Sequence, residues 1–271
     1  TGRRRDLVAP QLRPSRGEKV SILERVLGFF VDNFPAWQTI LLAGPLGLAW
    51  AYACLHFAGY LKTTRGWRTG YTRKTFHFLI FSSVATVHGI WGTPAVCLFG
   101  GMTTLVVFYA VFRGEGHPLY EAMAREKDSP HRTYFVVIPY FATLLGGLVS
   151  NIVFGPIAVV GYLVTGFGDA IGEPVGTRFG RHPYRVPCFG LVRAERTLEG
   201  SAAVFVASIV AILLGMWLGT DSGIQASAIL LIPVIALASA LVESVSPHGW
   251  DNLTMQIIPT MLCKWAFTEI G

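Results

Sequence analysis

Asp169 and Glu173 stand one helical turn apart in the run Gly166-Phe-Gly-Asp-Ala-Ile-Gly-Glu-Pro-Val-Gly-Thr-Arg-Phe-Gly-Arg181. Two carboxylates at that spacing project together and can share a divalent cation. Gly168, Gly172, Gly176 and Gly180 recur at every fourth position, so on a helix they form a smooth stripe that admits a neighbouring helix or a ligand to the backbone. Pro174 lacks a backbone donor and its ring clashes with the carbonyl of Ala170, which predicts a kink or restart there. A helix broken at a membrane face exposes backbone groups to an ion or anion. A second segment, Glu195-Arg-Thr-Leu-Glu-Gly-Ser201, places Arg196 and Glu199 three residues apart. Its Thr197 and Ser201 are suited to cap or hydrogen-bond the helix that follows. The plain alternatives are tight helix packing for the glycines and a salt bridge network with Arg178 and Arg181 for the acids.

The elements that carry these residues are membrane helices. The chain is 52% hydrophobic and 14% charged, with mean hydropathy +0.50, and its apolar residues come in blocks rather than at amphipathic spacing. Spans are predicted at roughly 37–60, 75–92, 94–112, 134–150, 153–168, 200–220 and 223–243, with a shorter one at about 253–267. The expected fold is all-α: a polytopic transmembrane bundle of about 7–8 spans. Ionisable residues beside such spans are functional candidates by default, because hydrocarbon is a poor solvent for charge.

Charge placement orients the bundle. Lys62, Arg65, Arg68, Arg73 and Lys74 crowd segment 61–74 without an acid, and Arg178, Arg181, Arg185, Arg193 and Arg196 crowd 178–196. Basic loops of this kind stay on the cytoplasmic face or its organellar equivalent. Hairpin parity then puts four polar segments, 61–74, 113–133, 169–199 and 244–252, on one side.

Residues 1–36 form a basic segment ahead of a single transmembrane domain of catalytic type, 37–271. They carry Arg3, Arg4 and Arg5 among seven bases, against four acids. Residues 20–34 have helical apolar spacing suited to lying flat on a membrane surface. The Arg-rich beginning reads as a headgroup-binding tail or as the remnant of an organellar transit peptide, so the expected location is an organellar or endoplasmic reticulum membrane. Cys54, Cys97 and Cys263 fall in apolar spans and Cys188 in a loop, with no Cys-x-x-Cys pair, so neither a zinc site nor a disulfide framework is indicated. The excess of 22 Lys and Arg over 16 Asp and Glu lies in loops beside a membrane, which favours lipid or nucleotide phosphate over nucleic acid as partner.

Together the two motifs resemble those of the membrane lipid enzymes that include dolichol kinase, phytol and farnesol kinase, and phosphatidate cytidylyltransferase. The shared signature is a Gly-Asp glycine-rich run followed by a Lys/Arg-Thr-x-Glu-Gly-Ser/Thr segment. Arg73-Lys74-Thr-Phe-His77 is similar to the Arg-Lys-x-x-His element of phytol-kinase-like proteins, and Glu243-Ser-Val-Ser-Pro-His-Gly-Trp-Asp-Asn-Leu-Thr254 resembles a late segment of dolichol-kinase-like chains. The resemblance spans roughly residues 70–260. Residues His182-Pro-Tyr-Arg-Val-Pro-Cys-Phe-Gly190 lengthen the spacing between its two halves and are expected to form a loop.

The resemblance implies a set of roles. Asp169 and Glu173 hold Mg²⁺; Gly172, Gly176 and Arg181 lie near the nucleotide phosphates; Arg196 and Glu199 close the site. Arg73, Lys74 and His77 add phosphate contacts, and Asp251 with Asn252 supplies polar ligands to nucleotide or metal. Asp169, His77 and Glu199 are the catalytic candidates, with His77 the candidate base. The implied activity is CTP-dependent phosphorylation of an isoprenoid alcohol such as phytol, farnesol or dolichol. Such a hydrocarbon acceptor enters sideways between helices. Two alternatives stand beside it: cytidylyltransferase-like synthesis of a CDP-lipid, and a non-catalytic subunit of a larger membrane protein complex.

Overall fold

The computed structural model describes residues 21–187, 194–219 and 229–269. Helix α1 (Ile22–Asp32) begins with a capping box: Ser21 Oγ accepts from the Glu24 amide at 3.2 Å, and Glu24 accepts from the Ser21 amide at 2.7 Å. It buries none of its side chains in the protein, and Ile22, Leu23 and Val31 are exposed. That is the habit of a helix lying in a membrane interface.

The bundle follows. Helix α2 (Trp37–Thr63) packs along α3 (Thr69–Arg113), which is two helices joined at Gly92, where φ is +73° and Pro94 follows. After the short α4 (Pro118–Glu121) come α5 (Tyr134–Phe154), a break at Gly155 with φ +60°, and α6 (Ala158–Leu163). A π-helical turn, Val164–Asp169, leads into α7 (Ala170–Phe179). An antiparallel hairpin, β1 (Pro183–Val186) with β2 (Ala194–Thr197), then feeds α8 (Leu198–Gly219), and α9 (Ile232–Val245) and α10 (Asp251–Glu269) complete the fold.

Among the described residues four helical stretches are long and apolar enough to cross a membrane: 37–63, 69–113, 134–179 and 198–219. The second and third are each interrupted, at Gly92 and Gly155, so the boundaries expected between spans fall where glycine takes a positive φ. Leu41, Leu42, Leu46, Trp217 and Leu230 are among many large apolar side chains facing outward. Such a surface suits lipid, not water. The interior has two clusters: one at α6, α8, α9 and α10, with Val160, Val164, Ile212 and Met255 at its centre, and one between α2, α3 and α4 around Leu55, Val107 and Tyr120.

Two local expectations are corrected. Pro174 lies within α7, and the departure from α geometry falls a turn earlier, at Val164–Asp169. The wider turn there changes the phase of the side chains before the proline is reached. The inserted segment expected as a loop contributes β1, whose residues pair Tyr184 with Arg196 and Arg185 with Glu195. Residues 188–190 of that segment, Cys188 among them, lie outside the described residues, as do residues 1–20 and the stretch 220–228 at the start of the span expected at 223–243.

Candidate active site

The glycine row explains how α7 is held. A Cβ on Gly172 would stand 2.7 Å from Val204 Cγ2, and one on Gly200 would stand 2.8 Å from the Gly172 carbonyl oxygen. On Gly176 it would meet Thr197 Oγ1 at 2.7 Å. The stripe is therefore the face along which α7 and α8 touch backbone to backbone. Thr197 Oγ1 also accepts from the Gly200 amide at 3.1 Å, capping α8, and Ser201 Oγ lies 2.6 Å from the Tyr184 hydroxyl. This packing fixes α7 so that its other faces point at the start of α3.

There the charges meet. Lys74 Nζ lies 2.6 Å from Asp169 Oδ2, with both side chains 6% exposed. Arg73 Nη2 donates to Glu173 Oε2 at 2.8 Å, and Arg125 Nη1 reaches the other oxygen of Glu173 at 3.2 Å. Arg125 also grips Asp128 through two bonds, of 2.8 and 3.1 Å. On the facing wall Arg196 bridges two acids, Glu243 and Asp251, each at 2.8 Å. Buried ions persist only with partners of this quality. Asp169 and Glu173, one turn apart along the helix, thus meet different cations at closest range.

Outside the membrane helices the field of these charges is legible in the titrating groups. Burial opposes the Arg196 charge, but Glu243 and Asp251 outweigh it and raise its pKa above the ordinary arginine value. Burial, and then the neighbouring Arg125, hold the His248 imidazole neutral by pushing its pKa far down. Its Nε2 is the hydrogen bond partner of Arg125 Nη2.

Two cavities meet at this cluster. A charged cleft of about 170 Å³ is lined by Arg73, Lys74, Asp169, Glu173, Arg196 and Asp251, among others. Next to it an apolar pocket of about 90 Å³ is lined by Phe76, Ile80, Phe81, Val107 and Phe135. Arg73, Lys74, Asp169, His248 and Asp251 belong to both walls. Arg73 Nε and Arg196 Nη1 are buried donors with no partner among the described residues, and both arginines face the cleft. Unsatisfied guanidinium donors are costly unless an anion completes them.

His77 points to the apolar side. Its Nε2 is 3.1 Å from the Thr165 carbonyl oxygen and 3.5 Å from Asp169 Oδ2. Asn252 ties α10 to α5, donating to Thr143 Oγ1 at 2.8 Å and the Pro139 carbonyl at 3.2 Å. Gly172 and Gly176 edge the cleft with their backbone, since their Cβ side is filled by α8 and the β2 end. Two residues named from sequence lie apart from both cavities: Arg181 is exposed, and Glu199 accepts from His182 Nδ1 at 2.7 Å on the exposed rim. Conversely, Arg125, Lys127, Asp128, Glu243 and His248 line the cleft without having been singled out as site residues. For the first three the available signal was the mixed charge of segment 113–133, placed on the same face by hairpin parity, and for Glu243 and His248 it was the motif segment 243–254.

The donor set bears on metal binding. Among the described residues no three of His, Cys, Asp and Glu converge on one point, so no dedicated cage exists there. Asp169 and Glu173 nevertheless offer hard oxygen donors beside a cleft with free cationic donors. Mg²⁺ commonly binds through one or two carboxylates and completes its shell with water and substrate phosphate. Asp169 and Glu173 are the residues that would hold such an ion.

Comparison with known proteins agrees with the motifs. The chain is 34% identical to a phytol kinase of Synechocystis sp. (strain ATCC 27184 / PCC 6803 / Kazusa) over 109 residues, covering 40% of this chain and 43% of that enzyme. The match thus spans less than half the length of that curated relative. No family model matches, and no solved structure matches. The similarity is thus to part of a phytol kinase, in a chain whose described residues include several apolar helices long enough to cross a membrane.

Proposed function

We propose that the chain is a kinase of a membrane-embedded isoprenoid alcohol, with CTP as donor and Mg²⁺ as its metal. The observation that carries the reading is the wall shared by two unlike cavities, where Lys74 and Asp169 border both the charged cleft and the apolar pocket. Moving a phosphoryl group from a water-soluble anion to a hydrocarbon alcohol calls for that juxtaposition. Phosphoryl transfer itself asks little of a protein beyond positioning and charge neutralisation.

The triphosphate occupies the cleft, where Arg73 Nε and Arg196 Nη1 supply donors to phosphate oxygens and Lys74 supplies a point charge. Asp169 and Glu173 would hold Mg²⁺, which would supply charge neutralisation at the donor phosphates. The acceptor hydroxyl comes from the apolar side, beside His77. With Nε2–H directed to the Thr165 carbonyl, His77 keeps Nδ1 as its basic nitrogen for the hydroxyl proton. Asp169 lies close enough to His77 to stabilise the imidazolium that results. Glu243 and Asp251 hold Arg196 in place as a positioning pair. The similarity to a phytol kinase supports the alcohol class.

The test is label transfer. Protein in lipid nanodiscs, given γ-labelled CTP, Mg²⁺ and a panel of phytol, farnesol and dolichol, is expected to produce a labelled lipid monophosphate, and chelation with EDTA is expected to abolish it. Label retained from α-labelled CTP on a lipid phosphate, with pyrophosphate released, favours the cytidylyltransferase reading instead. No transfer from either nucleotide, and no nucleotide binding, sinks the enzyme reading and leaves the subunit role.

A further inference from the structure

A third cavity, of about 460 Å³, continues the apolar pocket into the membrane region. Ile80, Phe81, Thr103, Tyr140 and Thr143 line both. From Tyr140 the lining runs down α5 to Asn151, which at 1.5 Å per residue is about 16 Å of depth. At the outer end stand Phe29 and Phe30 of the surface helix α1. The hydroxyls along the way are internally satisfied: Thr103 Oγ1 donates to the Phe99 carbonyl at 2.9 Å, and Thr104 Oγ1 lies 2.9 Å from the Tyr140 hydroxyl. What the groove presents is mostly hydrocarbon; the polar exceptions are Asn151 Oδ1 and Gln256 Oε1, buried acceptors without a partner among the described residues.

Gly100 and Gly101 sit on its wall, and a Cβ added to either meets nothing within 4 Å. These glycines are not packing contacts. They leave width in the groove that any larger side chain would occupy.

Resting on the kinase reading, we propose that this groove holds the isoprenoid tail of the acceptor, and that Gly100 and Gly101 determine how long a tail it takes. The polar end of such a molecule lies at the Lys74–Asp169 wall while its chain runs between α3 and α5. The far end of the chain meets the aromatic pair of α1. Continuity of the lining with the site selects the occupant: a molecule reaching the wall from this side must be thin and apolar along its length and polar at one end.

The experiment substitutes Gly100→Phe and Gly101→Phe, with Leu237→Phe on the exposed side of α9, away from the groove, as a comparison. The ratio of kcat/KM for geranylgeraniol to that for geraniol is expected to fall by roughly tenfold or more in the two glycine variants and to stay put in Leu237→Phe. An unchanged ratio in all three overturns the assignment. A second readout does not need catalysis. A diazirine-bearing geranylgeraniol, irradiated with the protein in nanodiscs, is expected to label peptides containing residues 100–104 and 140–148, and Gly100→Phe is expected to suppress that labelling. Label distributed elsewhere, or displaced by phospholipid but not by unlabelled geranylgeraniol, overturns the groove. Groove labelling by a protein that phosphorylates no prenol upholds the groove and discards the kinase.

Discussion

The charged cleft and the apolar groove both take part of their walls from α3, yet they tolerate change very differently. At the cleft Lys74 is clamped to a buried acid, and the glycines of α7 behind it have no room for a methyl group. At the groove Gly100 and Gly101 of the same helix face open space. Glycine serves contact in one place and clearance in the other. The difference teaches that precision is concentrated where charge leaves water, because a misplaced ion is far more costly than a loosely held hydrocarbon.

The sharpest way to break this contrast is at the buried pair. Asp169→Ala leaves the Lys74 ammonium buried without its partner, and is expected to destabilise by about 3–5 kcal/mol and to abolish phosphate transfer, read by thermal unfolding in detergent and by the label assay. The double variant Lys74→Met with Asp169→Leu is expected to regain most of the stability and none of the turnover. Full activity in that double variant would remove the pair from the chemistry.

The contact glycines come next. Gly172→Val drives a side chain into Val204, with an expected cost of about 1–3 kcal/mol as α7 and α8 separate. A melting temperature equal to that of the parent would show that the two helices slide apart freely. A smaller change tests the facing wall. Arg196→Lys keeps the charge but cannot hold Glu243 and Asp251 together as the guanidinium does. Expected is a fall in kcat/KM on the order of tenfold, about 1.4 kcal/mol, with the melting temperature changed less than in Gly172→Val. The smallest effect belongs to Gly100→Ala, within about 0.5 kcal/mol of the parent. Were it as damaging as Gly172→Val, the distinction between contact and clearance would collapse.

How much of this was legible beforehand differs by residue. The helical bundle follows from apolar blocks, because backbone polar groups in lipid must be satisfied within a helix, and the breaks at Gly92 and Gly155 fall near the gaps between those blocks. Arg73, Lys74, Asp169, Glu173, Arg196 and Asp251 were named from motif and charge, and all six line the cleft. Glu199 and Arg181 were named with them and stand outside it. Their motif neighbours are adjacent in sequence, but a helix and a strand turn successive side chains in different directions. Arg125 was passed over because its segment carries no periodic pattern, and its role comes only from reaching Glu173, 48 residues away. The inserted segment read as a loop because Pro183 and Pro187 break local patterns, whereas pairing across to 194–197 makes a strand of it.

The amino-acid sequence by itself determined the solvent, the class of fold and the face on which charged segments gather, since those depend on composition and on spacing along one chain. Only the tertiary structure decided which acid meets which base, that the glycine row of α7 is a packing face, and that a charged cleft and an apolar groove share a wall. Those are relations between residues far apart in the chain. They are set by which elements pack together and by close backbone approach, neither of which a local pattern records.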